Sequence, residues 1–306
     1  MRIYLQDSHW SEYQRFKRLS RLSRLTREKI KIEIGLFFRY LRGMGIKSLV
    51  ATNEEIIRDY LYYCKTSSYK LTGRKRSVFT IDYKRRLLWN YYEFLYKSRY
   101  FPSNPVRNIP PLLTPKRIPV YLSTRQIIRL FKVVVKNKRQ PTQFQVRLRA
   151  YISLLLFYGM ENHEIFRIKL KDIDFRRGII QIRKTTRHDS RILPLIAPVS
   201  GWLEEYLKIR PKRQATNLFQ CVKTRSRYTY NSSRGDLRII SRRVRFRVSA
   251  SILRNTFFSV MINNLVEHRV IQAIVGAHTV KTVIRWSRKN ITGKRETTEK
   301  YLKGIA

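Results

Sequence analysis

The sequence predicts a mainly α-helical protein with one small antiparallel β-sheet, divided into two domains. Apolar side chains recur at helical spacing through residues 25–108. Six of the ten prolines then fall between residues 102 and 119, and proline disfavours helix at its own position and at the position before it. Residues 173–195 have the pattern of short strands separated by a turn and a charged hairpin tip.

The proline-rich stretch sets the expected domain bounds. Loops longer than about 12–15 residues are uncommon inside a compact domain, so we interpret residues 109–122 as an interdomain linker. The sequence then predicts a basic N-terminal arm over residues 1–24, a helical domain over 25–108 and a second domain over 123–306.

The first domain is expected to contain three main helices. The first begins near Thr26, a plausible cap, and the second begins at Thr52 and Glu55, which have the spacing of a capping box. The third spans residues 78–101. The residues expected to face inward from the second and third helices are Ile56, Tyr60, Tyr63, Ile81, Leu88, Tyr92 and Leu95.

The second domain is expected to begin with a helix capped by Ser123, followed by a buried helix over residues 147–158. Gly159 then turns the chain into a new helix. Residues 237–265 are expected to be helical in their second half, and residues 296–304 to form the last helix.

The charge of the chain points to a polyanionic partner. There are 66 Lys and Arg against 20 Asp and Glu, which gives a formal net charge of +46. Phosphates neutralise such an excess and release counterions, so nucleic acid is favoured. A membrane surface is the weaker alternative, because the charge is spread along the chain instead of concentrated in one amphipathic segment. The remaining alternative is an organelle or phage sequence whose composition has drifted.

Several other classes are disfavoured. The N-terminus lacks an apolar signal-peptide core, and the longest apolar run, "AYISLLLFYGM", is too short to cross a bilayer. Cys64 and Cys221 are far apart, which favours a reducing compartment over a disulfide framework. The five histidines do not pair at i,i+4, so the sequence predicts no metal cluster. We therefore expect an intracellular, DNA-associated protein in a prokaryotic cytoplasm, a virus-infected cell or an organelle, and no secretion.

Five segments carry a family resemblance in their order along the chain. They are "SNPVRNI" with "PKRIPVYLS", "YISLLLFYGMENHEIFRIKLKDIDF", "IIQIRKTTRHDSRILPL", "SILRNTFF" and "IVGAHTVKTVIRWS". Together with the preceding helical domain, this order resembles the tyrosine recombinase (phage integrase) family, including its Xer and archaeal viral integrase branches. The resemblance implies an N-terminal helical core-binding (SAM-like) domain and a C-terminal tyrosine-recombinase catalytic fold.

The resemblance also implies a chemistry. In this family a tyrosine hydroxyl attacks a DNA phosphodiester and forms a phosphotyrosyl intermediate. Two arginines hold the nonbridging oxygens, a hairpin lysine protonates the leaving oxygen, and one or two histidines assist proton transfer. Neither a metal nor a small-molecule cofactor is needed, so we expect no cofactor.

Carried over residue by residue, the family's site is incomplete in this chain. Glu161 stands where the first arginine is expected, Ser251 and Ala277 at the two histidine positions, and Trp286 at the nucleophile, 32 residues after Arg254. The glutamate reverses a charge, and tryptophan has no nucleophilic oxygen.

Other residues keep, or could replace, the expected roles. Arg254 is kept, and Lys184 corresponds best to the hairpin lysine, with Arg187 as its rival. Tyr301, in "TTEKYLK", is a candidate displaced nucleophile, although it lies 47 residues after Arg254. The alternative is that residues 296–304 form the C-terminal helix that packs on a neighbouring protein in this family. Replacements considered for the missing first arginine are Arg149 and Arg167.

Basic clusters provide the candidate DNA contacts. The predicted set is Arg74, Lys75, Arg76, Lys84, Arg85, Arg187, Arg191, Arg242, Arg243 and Arg245. Solvated surface is the alternative for each cluster. We expect duplex DNA as the partner, with self-association on DNA as a dimer or tetramer.

Three functions remain open at this point. The first is a DNA-binding recombinase homologue that is impaired in strand cleavage. The second is an active integrase that uses Tyr301, Arg254 and Lys184 as catalytic residues. The third is a non-catalytic basic protein that binds RNA or DNA.

Overall fold

The computed structural model describes residues 13, 22–68, 73–114, 119–135, 142–185, 188–211, 216–221 and 228–287. The chain divides into two compact units, Met1–Lys116 and Arg117–Ala306. Each unit has a hydrophobic core made of its own residues. The division falls within residues 109–122, and the domain bounds inferred from the sequence remain predictions.

The described part of the first unit is helical, as the sequence predicts. Its elements are α1 (Arg24–Gly43), a 3₁₀ helix (Leu49–Ala51), α2 (Glu54–Thr66) and α3 (Val78–Lys97). Two predicted caps are wrong. Ser23 caps α1 by accepting a hydrogen bond from the Thr26 amide, and Asn53 caps α2 by accepting one from the Ile56 amide at 2.9 Å.

Thr52 does not cap α2 because its hydroxyl is used in the core. The side chain is buried, donates to the Leu49 carbonyl at 2.5 Å and lies 2.6 Å from the Tyr92 hydroxyl. The buried face of α2 is also rotated by one residue from the prediction, so that Ile57 takes the place expected for Ile56. Tyr63 is exposed.

The predicted inward face of α3 is confirmed. Ile81, Leu88, Tyr92 and Leu95 are all buried. Tyr92 packs edge-on against Phe101 with ring centroids 5.2 Å apart, a geometry that adds to the apolar burial. Aromatic contacts therefore make up much of this core.

Lys84 and Arg85, two of the predicted DNA contacts, are buried on α3. The Lys84 ammonium is ion-paired with Glu33. Arg85 Nε lies 3.2 Å from Asp82 Oδ1, and its Nη1 donates to the Ile109 carbonyl. Buried charges need such partners, so these two side chains hold the first unit together instead of facing a phosphate. The sequence shows the cluster of cations but not which face of the helix is buried.

The second unit contains helices and one small sheet. Its helices are α4 (Thr124–Val135), α5 (Gln143–Phe157), α6 (Asn162–Ile165), a 3₁₀ helix (Leu170–Asp172), α7 (Ala197–Ile209), α8 (Tyr230–Val244), α9 (Ala250–Asn263), α10 (His268–Val275) and α11 (Val280–Ser287). Its strands are β1 (Ile173–Asp174), β2 (Ile179–Ile182) and β3 (Arg191–Pro194).

The centre of the second unit is α5, a helix buried on all sides. It contacts α4, α7 and α9. Its two charged residues are paired: Arg147 Nη2 lies 2.6 Å from Asp236 Oδ2, and Arg149 Nη2 lies 3.1 Å from Glu205 Oε2. Since Arg149 is committed to this contact on α7, it is not a replacement for the arginine missing at position 161.

The sheet has the order β1-β2-β3 and is antiparallel throughout, as predicted. Ile180 pairs with Leu193 across β2 and β3, and both are buried, whereas Ile192 points outward. The sheet therefore covers the core with one face, and its β2–β3 hairpin carries charged residues beyond Ile182.

The segment before α9 differs from the prediction. Residues 237–265 contain two helices, because α8 already begins at Tyr230 and runs to Val244. Arg245 follows with a left-handed backbone, φ 60°, and breaks the helix. Leu237, Ile240 and Val244 form the buried apolar stripe of α8. In the sequence this stripe is difficult to recognise, because many arginines of the exposed face stand between its residues.

No helix in the described ranges is long and apolar enough to cross a membrane.

Gly159 ends α5 at a point where a side chain cannot fit. Its φ is 58°, and an added Cβ would lie 2.4 Å from Phe257 Cδ1 on α9. Gly178, in the β1–β2 turn, has a similar φ of 62° but open space around it.

We expect Gly159→Ala to destabilise the second unit more than the matched control Gly178→Ala. Both substitutions force a left-handed alanine, at about 1–2 kcal/mol. Only Gly159→Ala also overpacks the core, which adds about 1–3 kcal/mol. Urea denaturation of the two variants measures the difference. Equal losses of stability would show that Phe257 moves aside freely.

Candidate functional site

A groove of about 1210 Å³ opens on the second unit between α6, α8 and the start of α9. Four arginines line it: Arg234, Arg238, Arg247 and Arg254. Among the described residues that line it, the one carboxylate is Glu161. The groove therefore has the charge of an anion-binding surface with a single acidic point in it.

Arg254 is placed in the groove by the first turns of α9. Ser249 caps this helix by accepting a hydrogen bond from the Ile252 amide, which fixes where the helix begins. The guanidinium lies over the ring of Phe258, 5.6 Å from its centroid, and its side chain is 15% exposed. Burial lowers the pKa of Arg254, while Glu161 and Glu164 act in the opposite direction.

Glu161 is the acidic counterpart of Arg254. Its Oε1 lies 3.2 Å from Arg254 Nη1 and 3.2 Å from His188 Nε2, and its Oε2 lies 3.1 Å from His163 Nδ1. The pKa of the Glu161 carboxyl falls far below its usual range, first through contact with His163, then through His188, with the charge of Arg254 adding to them against burial. The carboxylate is therefore ionised, and its charge is paired with that of Arg254.

Glu164 and Arg191 form a buried ion pair next to this cluster. Glu164 Oε2 accepts a hydrogen bond from the Glu161 amide at 2.8 Å, and Glu164 Oε1 accepts one from Arg191 Nη1 at 2.7 Å. Arg191 Nε donates to the Ile274 carbonyl on α10 at 2.6 Å. Arg191, predicted as a DNA contact, is buried and joins α6, β3 and α10. An isolated basic residue in a strand gives no sign of this burial.

Gly276 allows Arg191 to take this position. Its φ is 67°, and an added Cβ would lie 2.5 Å from Arg191 Nη1. The glycine also ends α10 with the left-handed conformation that few other residues adopt.

The β2–β3 hairpin lies against the turn after α10. The Asp189 amide donates to the Gly276 carbonyl at 2.9 Å, and His188 pairs with Ala277 in an isolated bridge. Ala277 stands where the family resemblance implies a histidine. The imidazole near Glu161 comes instead from His188 on the hairpin.

Lys184, which corresponds to the family's hairpin lysine, lies on the surface of the hairpin. Its side chain is exposed, and its Nζ lies 3.9 Å from Asp189 Oδ1. Asp189 Oδ2 also lies 3.1 Å from His278 Nδ1, so the Asp189 carboxylate contacts both side chains. Lys184 is not among the residues that line the groove.

The other predicted site residues are placed only in part. Ser251 lines the groove, and Trp286 lies on α11. Tyr301 and Arg187 lie outside the described residues. Arg167 is exposed and is not one of the residues that line the groove, so it does not replace the missing arginine there.

The surface cations remain candidate DNA contacts. Arg242, Arg243, Arg245, Arg74 and Lys75 are exposed. Arg76 is partly buried and donates to the Ser67 carbonyl and hydroxyl, which gives it a structural contact as well.

The histidine pair was not foreseen from the sequence. Spacing along the chain predicts no cluster, yet His163 and His188 come together with ring centroids 5.8 Å apart. They lie 25 residues apart in sequence, on α6 and the hairpin, so no helical periodicity connects them. The position of His188 depends on where the hairpin folds back, which only the tertiary structure fixes.

Comparison with known proteins gives consistent relatives. Residues 121–291 match the model of the phage integrase family. The chain is 25% identical over 262 residues to tyrosine recombinase XerC of Oceanobacillus iheyensis, covering 82% of this chain and 81% of that protein. It is 25% identical over 267 residues to tyrosine recombinase XerD of Ralstonia nicotianae, covering 84% and 81%.

Solved structures agree on the fold. A Tn1549 transposon integrase in complex with circular intermediate DNA matches 98% of this chain and 99% of its own, with a TM-score of 0.70 at 15% identity. XerH recombinase bound to a palindromic difH substrate matches 90% and 79%, with a TM-score of 0.68 at 17% identity. The family match spans more than half of the chain, and the chain therefore belongs to the phage integrase family, as a homologue of the tyrosine recombinases.

Proposed function

We propose that this protein binds duplex DNA through the arginine-lined groove and is impaired in strand cleavage at that site. The observation that carries the proposal is the ion pair between Glu161 and Arg254, with 3.2 Å between Oε1 and Nη1. The groove keeps its cations, while the arginine expected to hold the scissile phosphate already has a carboxylate as its partner.

DNA binding is supported by charge and by the relatives. Four arginines converge on one groove of a chain with a net charge of +46. Arginine side chains of this kind bind phosphates and position a protein on a duplex without recognising its base sequence. The XerH and Tn1549 integrase structures are complexes with DNA, and a λ integrase structure is a dimer on a core site. We extend the proposal to self-association on DNA and to an intracellular location.

Impaired cleavage follows from electrostatics. A carboxylate that faces a phosphate at about 4 Å is unfavourable by about 4 kcal/mol at an effective dielectric of 20. Loss of a single preorganised donor to a developing oxyanion already lowers a rate by about 100- to 1000-fold. Trp286 also stands at the sequence position expected for the nucleophile, and tryptophan has no hydroxyl that could attack a phosphate.

Covalent trapping tests the cleavage part of the proposal. We expect no protein–DNA adduct on denaturing gels when the protein is incubated with nicked suicide duplexes that have a randomised core. An active tyrosine recombinase on its own site is the positive control. An adduct that disappears in Tyr301→Phe would establish a displaced nucleophile and overturn the proposal.

Alanine substitutions test the groove. Arg238→Ala and Arg247→Ala should each weaken duplex binding, and each should lower the slope of log affinity against log salt by about 1. Arg177→Ala is the matched control, because Arg177 is 80% exposed and is not one of the residues that line the groove. Equal effects of all three variants would mean that the charge acts diffusely and that the groove is not the binding site.

Wild-type binding should also depend steeply on salt. If six to ten phosphates are gripped, affinity should fall roughly 10³- to 10⁵-fold between about 50 and 200 mM salt. Competition between duplex DNA and structured RNA then separates a DNA-binding protein from a general RNA-binding one. Preferential binding of structured RNA would contradict the proposed partner.

Neutralising Glu161 should strengthen DNA binding. Glu161→Gln removes the charge that faces the phosphates and releases Arg254, and we expect about tenfold higher affinity for duplex DNA, which is about 1.4 kcal/mol. Glu204→Gln is the control, because Glu204 is an exposed glutamate on α7 outside the groove. An unchanged or lower affinity of Glu161→Gln, measured by fluorescence anisotropy, would place the DNA elsewhere.

A further inference from the structure

Three side chains with metal-binding atoms converge at the edge of the groove. Glu161 Oε2 lies 3.1 Å from His163 Nδ1, and Glu161 Oε1 lies 3.2 Å from His188 Nε2. The ligand atoms of the three residues all lie within 4.8 Å of one another. The cluster is assembled from the start of α6 and from the β2–β3 hairpin, two parts of the chain that the fold holds together through Glu164 and Arg191.

The ring nitrogens of His188 are a second observation that points to a bound ligand. Its side chain is 6% exposed, and neither ring nitrogen has a hydrogen bond of good geometry in the part of the chain that the structure describes. A buried polar group without a hydrogen bond is costly, and in native structures such a group commonly points to an unseen water or ion. The Nε2 atom faces the Glu161 carboxylate, which places the site for an ion between them.

From this arrangement, we propose that Glu161, His163 and His188 form a binding site for one divalent transition-metal ion of the zinc class. Two imidazoles and one carboxylate are a ligand set that zinc takes in sites with an open fourth position. Magnesium and calcium prefer sites made entirely of oxygen ligands and are disfavoured here. The open position faces the groove, which Glu161 and His163 both line.

The distances suit a tetrahedral ion. Two ligand atoms bound at about 2.0–2.1 Å with tetrahedral angles lie about 3.3–3.4 Å apart. The two carboxylate–imidazole separations, 3.1 and 3.2 Å, are close to this value. The separation between the two imidazoles is adjusted by His163, whose side chain is 38% exposed and has room to turn.

Arg254 is the main opposing charge, since its Nη1 lies 3.2 Å from Glu161 Oε1. A cation this close weakens the binding of a second cation. The carboxylate has two oxygens, however, and Oε2 is turned towards His163. With the metal on Oε2, Arg254 holds Oε1 and fixes the orientation of the carboxylate, as groups around metal ligands commonly do. His188 Nε2, now 3.2 Å from Oε1, then turns from that oxygen to the ion.

Titration with Zn²⁺, and with Co²⁺ as a spectroscopic probe, tests this site on the full chain without an affinity tag. We expect one ion per chain and a Co²⁺ absorption spectrum of tetrahedral type. Loss of a residue that merely orients a ligand weakens metal binding about 10- to 100-fold, so His163→Ala and His188→Ala should each weaken it by at least about 100-fold.

His278→Ala is the matched control. Its side chain is 44% exposed, close to the 38% of His163, and it also lies 3.1 Å from a carboxylate oxygen, that of Asp189. Its substitution should leave the affinity unchanged. Thermal melts of the metal-free proteins check folding, and partly exposed His163 gives a readout even if His188→Ala unfolds.

Two outcomes of the titration would contradict the proposed metal site. No binding of Zn²⁺ by the folded wild-type protein, or equal affinity in wild type and His163→Ala, rules it out. The titration contains no DNA, so its failure leaves the proposed DNA binding untouched, and failure of DNA binding leaves the metal site untouched.

Discussion

The buried ion pair between Glu164 and Arg191 is the contact on which the site is built. At 2.7 Å and with almost no exposed surface, it joins α6 to β3, and the Arg191 bond to the Ile274 carbonyl adds α10. Removing one partner of such a pair leaves an uncompensated buried charge and costs about 3–5 kcal/mol. Glu161, His188 and the turn at Gly276 all take their positions from these three elements.

Beside this ion pair, the side chain of Glu161 changes the charge of the groove. Glu161 contacts Arg254, His163 and His188 in one cluster, so that the charge of Arg254 is paired with an internal carboxylate. The same carboxylate creates a set of ligands that the arginine expected there could not provide. The proposed impairment of cleavage and the proposed metal site therefore have a common physical origin in the sign of one charge.

Sequence patterns were sufficient for the fold class but not for the burial of charges. Helical and strand periodicity predicted the helices of the first unit, the buried α5 and the hairpin, because these patterns follow from apolar burial on one face or all round. They could not show that Lys84, Arg85 and Arg191 turn inward. Lys84 and Arg191 pair with carboxylates distant in sequence, and Arg85 donates to the distant Ile109 carbonyl as well as pairing with the nearby Asp82. His188 was likewise missed, because its neighbours come from another segment. The placement of Arg254 beside Glu161 followed from the family motif, not from periodicity.

The main-chain amide of residue 161 is satisfied by the carboxylate of Glu164 at 2.8 Å, whatever side chain residue 161 carries. The backbone of this turn is thereby insulated from substitutions at that position. The side chain of residue 161, and with it the charge beside Arg254, can therefore change while the hydrogen bond that fixes the backbone of the turn is kept.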